Sequence, residues 1–413
     1  MPTFVIACAG TLGDHLPYIA LGQGLRRRGH RVRLACRPAM QGFATQAGLE
    51  VADCGEDFDD ADVRRRAHEW DEWGAAAGSQ PTVALNASLA AMREQLHRDL
   101  APTYRALATA CVGADLLVAG LQRQMYAALL ARNTALLWVA ASVTPALQCS
   151  AVGQHRLRQN EALMGTFVPL LDALCREQAL HPIDWLAYDR QQPRALLGAS
   201  AHFALPLPEQ THYRPTGFWF YEDPRWPHWT PPPALQDFVT QHPQPLFLSF
   251  SSIPVIAPAA VLKLHARAAA LLGRGLVVQR GAAGFDAALL AGDVNRSGVH
   301  FVDFMPQDWL LGQCGAMLHH GGAGTIARAL RSGCPMVAEP LGNDQFFNAQ
   351  RVLALQIGSA VNLHRIQPEG LAQVLADKVL APAPRAHAQA LGKLLRTEDG
   401  VARACDLLEG WLP

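Results

Sequence analysis

Four features are missing from this sequence, and each absence excludes a class of protein. Thirty-five basic residues balance 35 acidic residues, and a neutral chain with no basic stripe is not expected to bind nucleic acid. The nine cysteines include no C-x-x-C pair, which disfavours a zinc site and a disulfide framework. Neither the dinucleotide motif G-x-G-x-x-G nor the P-loop ending in Gly-Lys-Ser/Thr occurs.

Long hydrophobic runs are also missing. The most apolar run, Ala135–Val143, is far shorter than the roughly 20 residues that a membrane-spanning helix needs. The first ten residues lack a basic segment and indicate a buried strand rather than a signal peptide. We therefore expect a cytoplasmic protein with no integral membrane span. Its 413 residues predict two domains.

Short apolar runs alternate with helical patterns in the first part of the chain. The pattern predicts strands at Phe4–Ala9, Val32–Cys36, Asp115–Ala119 and Leu136–Ala141, with a helix at Pro17–Arg28 after the first strand. Strands separated by helices are typical of a parallel sheet. We predict an N-terminal Rossmann-like domain over residues 1–215.

A second series of the same kind follows a segment rich in proline and tryptophan, residues 216–240, which we interpret as a linker. Strands are predicted at Leu246–Phe250, Leu276–Gln279, His300–Phe304, Ala316–His319 and Met336–Glu339. These define a C-terminal domain over residues 241–398, and a last helix in 399–413 is expected to pack back on the first domain. The predicted fold class is α/β, with two doubly wound domains facing each other across a cleft.

The turn after strand Ala316–His319 carries the strongest functional pattern, His319-His320-Gly321-Gly322-Ala323-Gly324-Thr325. A glycine-rich turn before a helix leaves backbone N–H groups uncovered where the helix dipole favours an anion. We interpret His320 and the turn as a diphosphate grip, and His319 as packing at the end of its strand. The alternative is a pair of buried histidines at a tight turn.

Two further segments follow neighbouring strands of the same predicted sheet. Ser249-Phe250-Ser251-Ser252 could donate to a phosphate or cap the next helix. Asp344 and Gln345 could hold sugar hydroxyls, or Asn343 and Asp344 could cap a helix. Because these segments emerge at the same edge as the histidine turn, we favour ligand binding for Asp344 and Gln345.

The turn after the first strand, Gly10–Pro17, offers Asp14 and His15. Asp14 is a candidate base or a helix cap, and His15 is a second candidate base or a solvent-exposed side chain. The acidic stretch Asp57–Asp62 is interpreted as a solvated loop rather than a metal site. Trp219, Trp226 and Trp229 in the linker could line an acceptor pocket or pack between domains.

The segment Phe301–Ala349 contains, in order, a strand, Pro-Gln, His-His-Gly-Gly, Gly-x-Pro and Asp-Gln. This series resembles the family 1, UDP-glycosyltransferase-like enzymes with the two-Rossmann-domain GT-B fold. The resemblance is greatest to bacterial enzymes that glycosylate natural products, sterols and lipids, including the rhamnolipid type. The resemblance covers nearly the whole chain. Ser251 departs from it, because the family usually has glycine there.

The resemblance implies a role for particular residues. The donor diphosphate would be held by Ser252, His320, Gly322, Ala323, Gly324 and Thr325. The donor nucleobase would contact Phe304, Met305 and Gln307, and the donor sugar would contact Asp344 and Gln345. The catalytic base would be Asp14, with His15 second, and the acceptor would contact Thr144 and Pro145.

The implied reaction is an inverting, metal-independent transfer of a hexose from a UDP- or dTDP-sugar to a hydroxyl group of a lipophilic small molecule. No cofactor is expected besides the nucleotide-sugar co-substrate, and the chain is expected to be a monomer or a homodimer. Two alternatives stay open. One is a nucleotide-sugar 2-epimerase of the same fold, and the other is a non-catalytic auxiliary protein of that fold.

Overall fold

A computed structural model of the chain describes residues 1–55, 57, 62, 65, 67–68, 82–145, 167–185, 192–204, 212–291, 296–342 and 344–413, with the backbone alone given for 82–95. It divides into two compact units. The first unit consists of Met1–Asp57, Leu85–Pro224 and Glu398–Pro413, and the second of Phe58–Ala84 and Arg225–Thr397. Among the described residues, no helix is both long and apolar enough to cross a lipid bilayer.

The first unit is built on a seven-stranded parallel sheet with the order β3-β2-β1-β4-β5-β6-β7. Its strands are β1 Thr3–Ala7, β2 Arg31–Cys36, β3 Glu50–Asp53, β4 Leu116–Gly120, β5 Leu137–Ser142, β6 Ala195–Leu197 and β7 Tyr213–Pro215. The central strands β1 and β4 are apolar along nearly their whole length and almost fully buried. Such continuous apolar strands are expected when helices cover both faces of a parallel sheet.

Helices cover the sheet of the first unit. They are α1 Leu12–Arg27, α2 Pro38–Gln46, α3 Thr82–Ala110, α4 Gln124–Thr134, α5 over 167–177 and, at the end of the chain, α13 Gly400–Gly410. Helix α13 packs on α1, where a Cβ added to Gly24 would lie 2.3 Å from a methyl carbon of Val401. Arg28 pairs with Asp406 and Glu409 along the same contact.

The second unit is built on a six-stranded parallel sheet with the order β10-β9-β8-β11-β12-β13. Its strands are β8 Leu246–Ser249, β9 Leu276–Gln279, β10 Val299–Val302, β11 Ala316–His319, β12 Met336–Ala338 and β13 Gly358–Ala360. Its helices are α6 Pro233–Gln241, α7 Pro258–Leu271, α8 Gln307–Gln313, α9 Ala323–Arg331, α10 Gln345–Ala354, α11 Pro368–Lys378 and α12 Pro382–Leu395. The described residues also include four short 3₁₀ turns.

The strand order reverses direction once in each sheet, between β1 and β4 and between β8 and β11. At such a switch point the loops after the two central strands diverge and leave a crevice, which is where doubly wound sheets bind ligands. Both glycine-rich turns therefore lie at switch points, one after β1 and the other after β11. The predicted α/β class with two doubly wound units is confirmed.

The structure places a helix at one end of residues 216–240, where α6 begins at Pro233. Proline fits the first position of a helix, because its missing N–H would have no intrahelical partner there. The tryptophans of this segment belong to different units. Trp219 is buried beside Tyr18 in the first unit, whereas Trp226 packs on Phe304 in the second.

Candidate active site

The turn after β11 is held open by His319. Its Nδ1 accepts a hydrogen bond of 2.9 Å from the backbone N–H of Gly321, which has a positive φ of 90°. Nδ1 is therefore the unprotonated nitrogen, and burial lowers the pKa of His319 to about 3. His319 thus does more than pack at the end of its strand. It binds the backbone N–H of Gly321 and so orients the backbone N–H groups that follow Gly321.

Helix α9 begins directly after this turn and has no side-chain cap. Its N-cap residue is Gly322, and the first backbone hydrogen bond into the helix runs from Ile326 N–H to the Gly322 carbonyl. The N–H groups of Ala323, Gly324 and Thr325 therefore lack intrahelical partners. Uncapped N–H groups at a helix N-terminus are a ready anion site.

His320 lies against this helix start. Burial lowers the pKa of His320 to about 4, with the Ser249 backbone acting in the opposite direction, so the ring is neutral near pH 7. The ring stands edge-on to Phe250 at a centroid distance of 6.3 Å. A Cβ added to Gly322 would lie 2.4 Å from His320 Nε2, so only glycine leaves that nitrogen room at the helix start.

The serine-rich turn after β8 lies across the switch point from the histidine turn. The capping alternative is wrong, because the next helix begins only at Pro258 and its N-cap is Ala257. Ser251 has a φ of 53°, which is the left-handed conformation that glycine adopts without strain. This backbone conformation gives a physical reason why a glycine is the ordinary choice at this position.

Ser249 and the segment after β10 are joined by one buried amide. Gln279 Oε1 accepts hydrogen bonds from the Ser249 hydroxyl at 2.6 Å and from Gln307 Nε2 at 3.1 Å. Phe304 is 41% exposed, whereas Met305 is buried. Of the predicted nucleobase residues, Phe304 therefore presents an exposed ring, Met305 is buried and Gln307 binds Gln279. Gln279 was missed by sequence analysis because nothing near it along the chain marks it.

The segment after β12 brings Asp344 and Gln345 next to the histidine turn. A Cβ added to Gly321 would lie 3.3 Å from the Gln345 backbone oxygen. Gln345 Oε1 accepts hydrogen bonds from the backbone N–H groups of Leu341 and Gly342, so this side-chain oxygen stabilises the loop that precedes Gln345. Asp344 makes no capping hydrogen bond within the described residues. Asn343 lies outside the described residues.

A buried ion pair that the sequence analysis missed lies behind the switch point. Both ring nitrogens of His265 face oxygen acceptors, the Val261 carbonyl at 2.7 Å and the Glu339 carboxylate at 2.8 Å. Burial opposes charge on this ring, yet Glu339 raises the pKa of His265 above its usual value. With two acceptors the ring carries both protons. Removing either partner would leave a buried charge uncompensated, at a cost of about 3–5 kcal/mol.

In the first unit, Asp14 and His15 lie in the first turn of α1. Asp14 Oδ2 accepts from the Thr11 backbone N–H at 2.7 Å and from its hydroxyl at 3.0 Å, so the capping alternative is realised. His15 is fully buried, and the solvent-exposed alternative is wrong. Its Nδ1 lies 2.8 Å from the Thr11 carbonyl, and Nε2 is buried with no hydrogen bond among the described residues.

The other candidate residues of the first unit are placed as follows. Thr144 and buried Pro145 come directly after β5, at the same sheet edge as His15. Asp57 binds the Arg37 side chain and the Ala39 backbone, whereas residues 58–61 lie outside the described residues. Within the described part of the chain, no three His, Cys, Asp or Glu side chains cluster in a way that could hold a metal ion.

An uncapped helix N-terminus and a neutral histidine at the switch point of a doubly wound sheet are features of α/β proteins that bind anions. Comparison with known proteins shows which family the chain resembles. Residues 284–399 match the model of the erythromycin biosynthesis protein CIII-like C-terminal domain. That match contains both the histidine turn and the Asp-Gln pair.

Three relatives match nearly the whole length of this chain. The chain is 29% identical to O-mycaminosyltylonolide 6-deoxyallosyltransferase of Streptomyces fradiae, over 97% of this chain and 96% of that protein. It is 30% identical to an uncharacterised protein of Mycobacterium bovis, over 98% and 96%. It is 26% identical to a sterol 3-beta-glucosyltransferase of Aspergillus fumigatus over 96% of this chain, which spans only 29% of that longer protein.

Solved structures show the same fold. The glycosyltransferase of kitacinnamycin superimposes with a TM-score of 0.77 at 21% identity, covering 100% of both chains. A spinosyn rhamnosyltransferase in complex with thymidine diphosphate superimposes with a TM-score of 0.65 at 19% identity, over 99% of this chain and 100% of that one. The chain belongs to the family 1 glycosyltransferases of the natural-product and sterol type, which have the GT-B fold.

Proposed function

We propose that this glycosyltransferase moves a hexose from a UDP- or dTDP-sugar to a hydroxyl group of a lipophilic small molecule, with inversion at the anomeric carbon. The observation that carries the proposal is the uncapped start of α9 at the switch point, with His320 beside it. A diphosphate is the anion whose size and charge suit several converging N–H groups. The thymidine diphosphate bound by a structural neighbour supports the same class of donor.

The donor would lie along the carboxyl edge of the second sheet. We propose that the diphosphate accepts hydrogen bonds from the backbone of Gly322, Ala323, Gly324 and Thr325, from Ser252 and from the His320 ring. The nucleobase would contact Phe304, Met305 and Gln307. The sugar would lie against Asp344 and Gln345, with Gln345 contributing its Nε2, because its Oε1 is bound to its own loop.

Departure of the nucleoside diphosphate is the step that the second unit would assist. Negative charge grows on the leaving phosphate, and preorganised donors aimed at that position lower the barrier. His320 enters as a neutral ring, because burial holds its pKa at about 4, and in the proposed reaction its single N–H is on Nε2 and donates to the phosphate. In the proposed reaction the helix dipole and these donors provide the stabilisation that a metal ion provides in other transferases.

The base is proposed to be His15, with Asp14 in a supporting role. Because the Thr11 carbonyl can only accept, His15 Nδ1 carries the ring proton and Nε2 keeps its lone pair. Burial lowers the pKa of His15 to about 4, so Nε2 is unprotonated near pH 7. The Asp14 carboxylate instead binds Thr11, the residue on which His15 is oriented.

The acceptor is proposed to be a natural product, sterol or lipid that contacts Thr144 and Pro145. Support comes from the apolar sequence of β5, which leads into these residues, and from the names of two relatives, which give O-mycaminosyltylonolide and a sterol as acceptors. Attack by a hydroxyl oxygen on the anomeric carbon, with the proton passing to His15, gives a glycoside and a nucleoside diphosphate.

A product assay tests the proposal. UDP- and dTDP-sugars are incubated with a macrolide aglycone or a sterol, and glycoside formation is followed by mass spectrometry. His320→Ala should reduce transfer by about 10²–10³-fold while the protein stays folded. Epimerised donor formed without acceptor would instead indicate an epimerase. Donor binding without any turnover would indicate an auxiliary protein.

A further inference from the structure

Asn348 joins the two parts of the second unit to which donor binding is assigned. It lies on α10, four residues after Asp344, and its side chain is fully buried. Its Nδ2 donates to the Gly321 carbonyl at 2.9 Å and to Asp344 Oδ2 at 3.0 Å. One amide group therefore contacts the histidine turn and the carboxylate of the sugar segment together.

The chemistry of the two partners explains why the residue is an asparagine. A carbonyl oxygen and a carboxylate oxygen both accept hydrogen bonds, so the nitrogen between them must carry two hydrogens to donate one to each. An aspartate would place a third acceptor there, and a leucine would supply no donor. The bond lengths of 2.9 and 3.0 Å are ordinary for N–H···O, so neither contact is strained.

Both of these hydrogen bonds are made by the donating end of the Asn348 amide. Its Oδ1 is buried and has no hydrogen bond to any residue that the structure describes. The amide therefore acts in this structure as a two-fold donor between the Gly321 carbonyl and the Asp344 carboxylate.

We propose that Asn348 is a positioning residue that fixes the distance and angle between the diphosphate turn at Gly321 and the sugar-binding carboxylate of Asp344. The inference rests on the function proposed above. Gly321 is the residue after His320, so a shift of its carbonyl also moves the start of α9. Small misplacements of this kind reduce turnover strongly, because the leaving phosphate and the anomeric carbon must be aligned when the bond breaks.

The test uses Asn348→Asp, which keeps the shape and removes the donor. At pH 8 the variant should lose on the order of tenfold or more in kcat and show a higher KM for the nucleotide sugar. Lowering the pH should restore part of kcat relative to the wild type, because the new carboxyl beside Asp344 takes up a proton and regains one O–H donor. Asn348→Ser, with one hydroxyl donor, should have a kcat between those of the wild type and Asn348→Asp. It also allows the proposal to be tested if the aspartate variant fails to fold.

Asn133→Asp is the matched control in the first unit. Asn133 Nδ2 also donates to two oxygens, the carbonyls of Leu129 and His181 at 2.8 and 3.1 Å. Its substitution should lower Tm without changing donor KM or giving an acid rescue of kcat. If the Asn348 variants behave like this control, the positioning role is overturned. If the wild type neither binds nor turns over a nucleotide sugar, the proposed function fails as well.

Discussion

His15 Nδ1 donates a hydrogen bond of 2.8 Å to the carbonyl oxygen of Thr11, one helical turn earlier. The same Thr11 presents its backbone N–H and hydroxyl to Asp14. The two candidate bases are therefore linked through one residue, and His15 Nε2 is buried with no hydrogen-bond partner among the described residues. In the proposed mechanism, His15 is the base and Asp14 supports it through Thr11.

The assignment predicts opposite outcomes for two conservative substitutions. His15→Gln should reduce kcat by about 10²–10⁴-fold, because a glutamine cannot take the acceptor proton. Asp14→Asn should keep most activity, since an amide oxygen can still accept from Thr11, and should cost about 1 kcal/mol of stability. Initial rates under saturating donor, together with urea unfolding, measure both effects. Loss of activity in Asp14→Asn with an intact His15→Gln enzyme would reverse the assignment.

Ser251 gives a prediction about stability. Its φ of 53° costs a non-glycine residue about 1–2 kcal/mol, so Ser251→Gly should raise the free energy of unfolding by about 1 kcal/mol after the added chain entropy is subtracted. Ser252→Gly is the matched control, because Ser252 has no such backbone conformation. It should give no gain in stability and should weaken diphosphate binding. A lower stability for Ser251→Gly than for the wild type would contradict this account.

The buried histidines predict how stability depends on pH. Burial lowers the pKa of His15 and His320 to about 4 and that of His319 to about 3, against an ordinary value near 6.5. Between these values the unfolded chain binds protons that the folded chain does not, so stability falls as pH drops from about 6.5 towards 4. Each ring contributes on the order of 3 kcal/mol over that window. Urea midpoints at pH 7 and pH 5 measure the effect.

Replacement of one ring provides the control for this dependence. His15→Gln removes one of the three titrating groups, so the variant should lose less stability than the wild type between pH 7 and pH 5. His265 acts in the opposite direction, because Glu339 raises its pKa and its contribution is lost as pH rises through that value. A variant with the same slope as the wild type would show that His15 is not shielded from protonation.

Much of the fold could be predicted because its strands are continuous apolar runs. Strands β9 and β11 have the predicted bounds, Leu276–Gln279 and Ala316–His319. Strands β3, β6, β7 and β13 were missed, and each has only three or four residues, too few to show a periodic pattern; β12, equally short, was predicted. Helix α1 begins at Leu12 rather than at Pro17, because the capping box of Thr11 and Asp14 starts it earlier.

The candidate site could be predicted only where its residues form a local pattern. The turn from His320 to Thr325 is contiguous, and its glycines indicate an anion site directly. Asn348 and Glu339 act on residues 27 and 74 positions away, Gly321 and His265, and no local spacing shows such contacts. Asn348, which the pattern missed, contacts the turn that it found, whereas both members of the His265–Glu339 pair were missed.

The most direct test of the central claim is a calorimetric titration of UDP and dTDP into the wild type and two glycine variants. Gly322→Ala puts a Cβ 2.4 Å from His320 Nε2, whereas Gly312→Ala in α8 meets no atom within 4 Å. We predict that the wild type and Gly312→Ala bind one of the two nucleotides. At a 100-fold excess over Kd, that binding would raise the free energy of unfolding by about 2.7 kcal/mol. Gly322→Ala should stay folded and lose that binding. Equal affinity in all three proteins, or no binding by the wild type, would contradict the claim that the turn after β11 holds a nucleoside diphosphate.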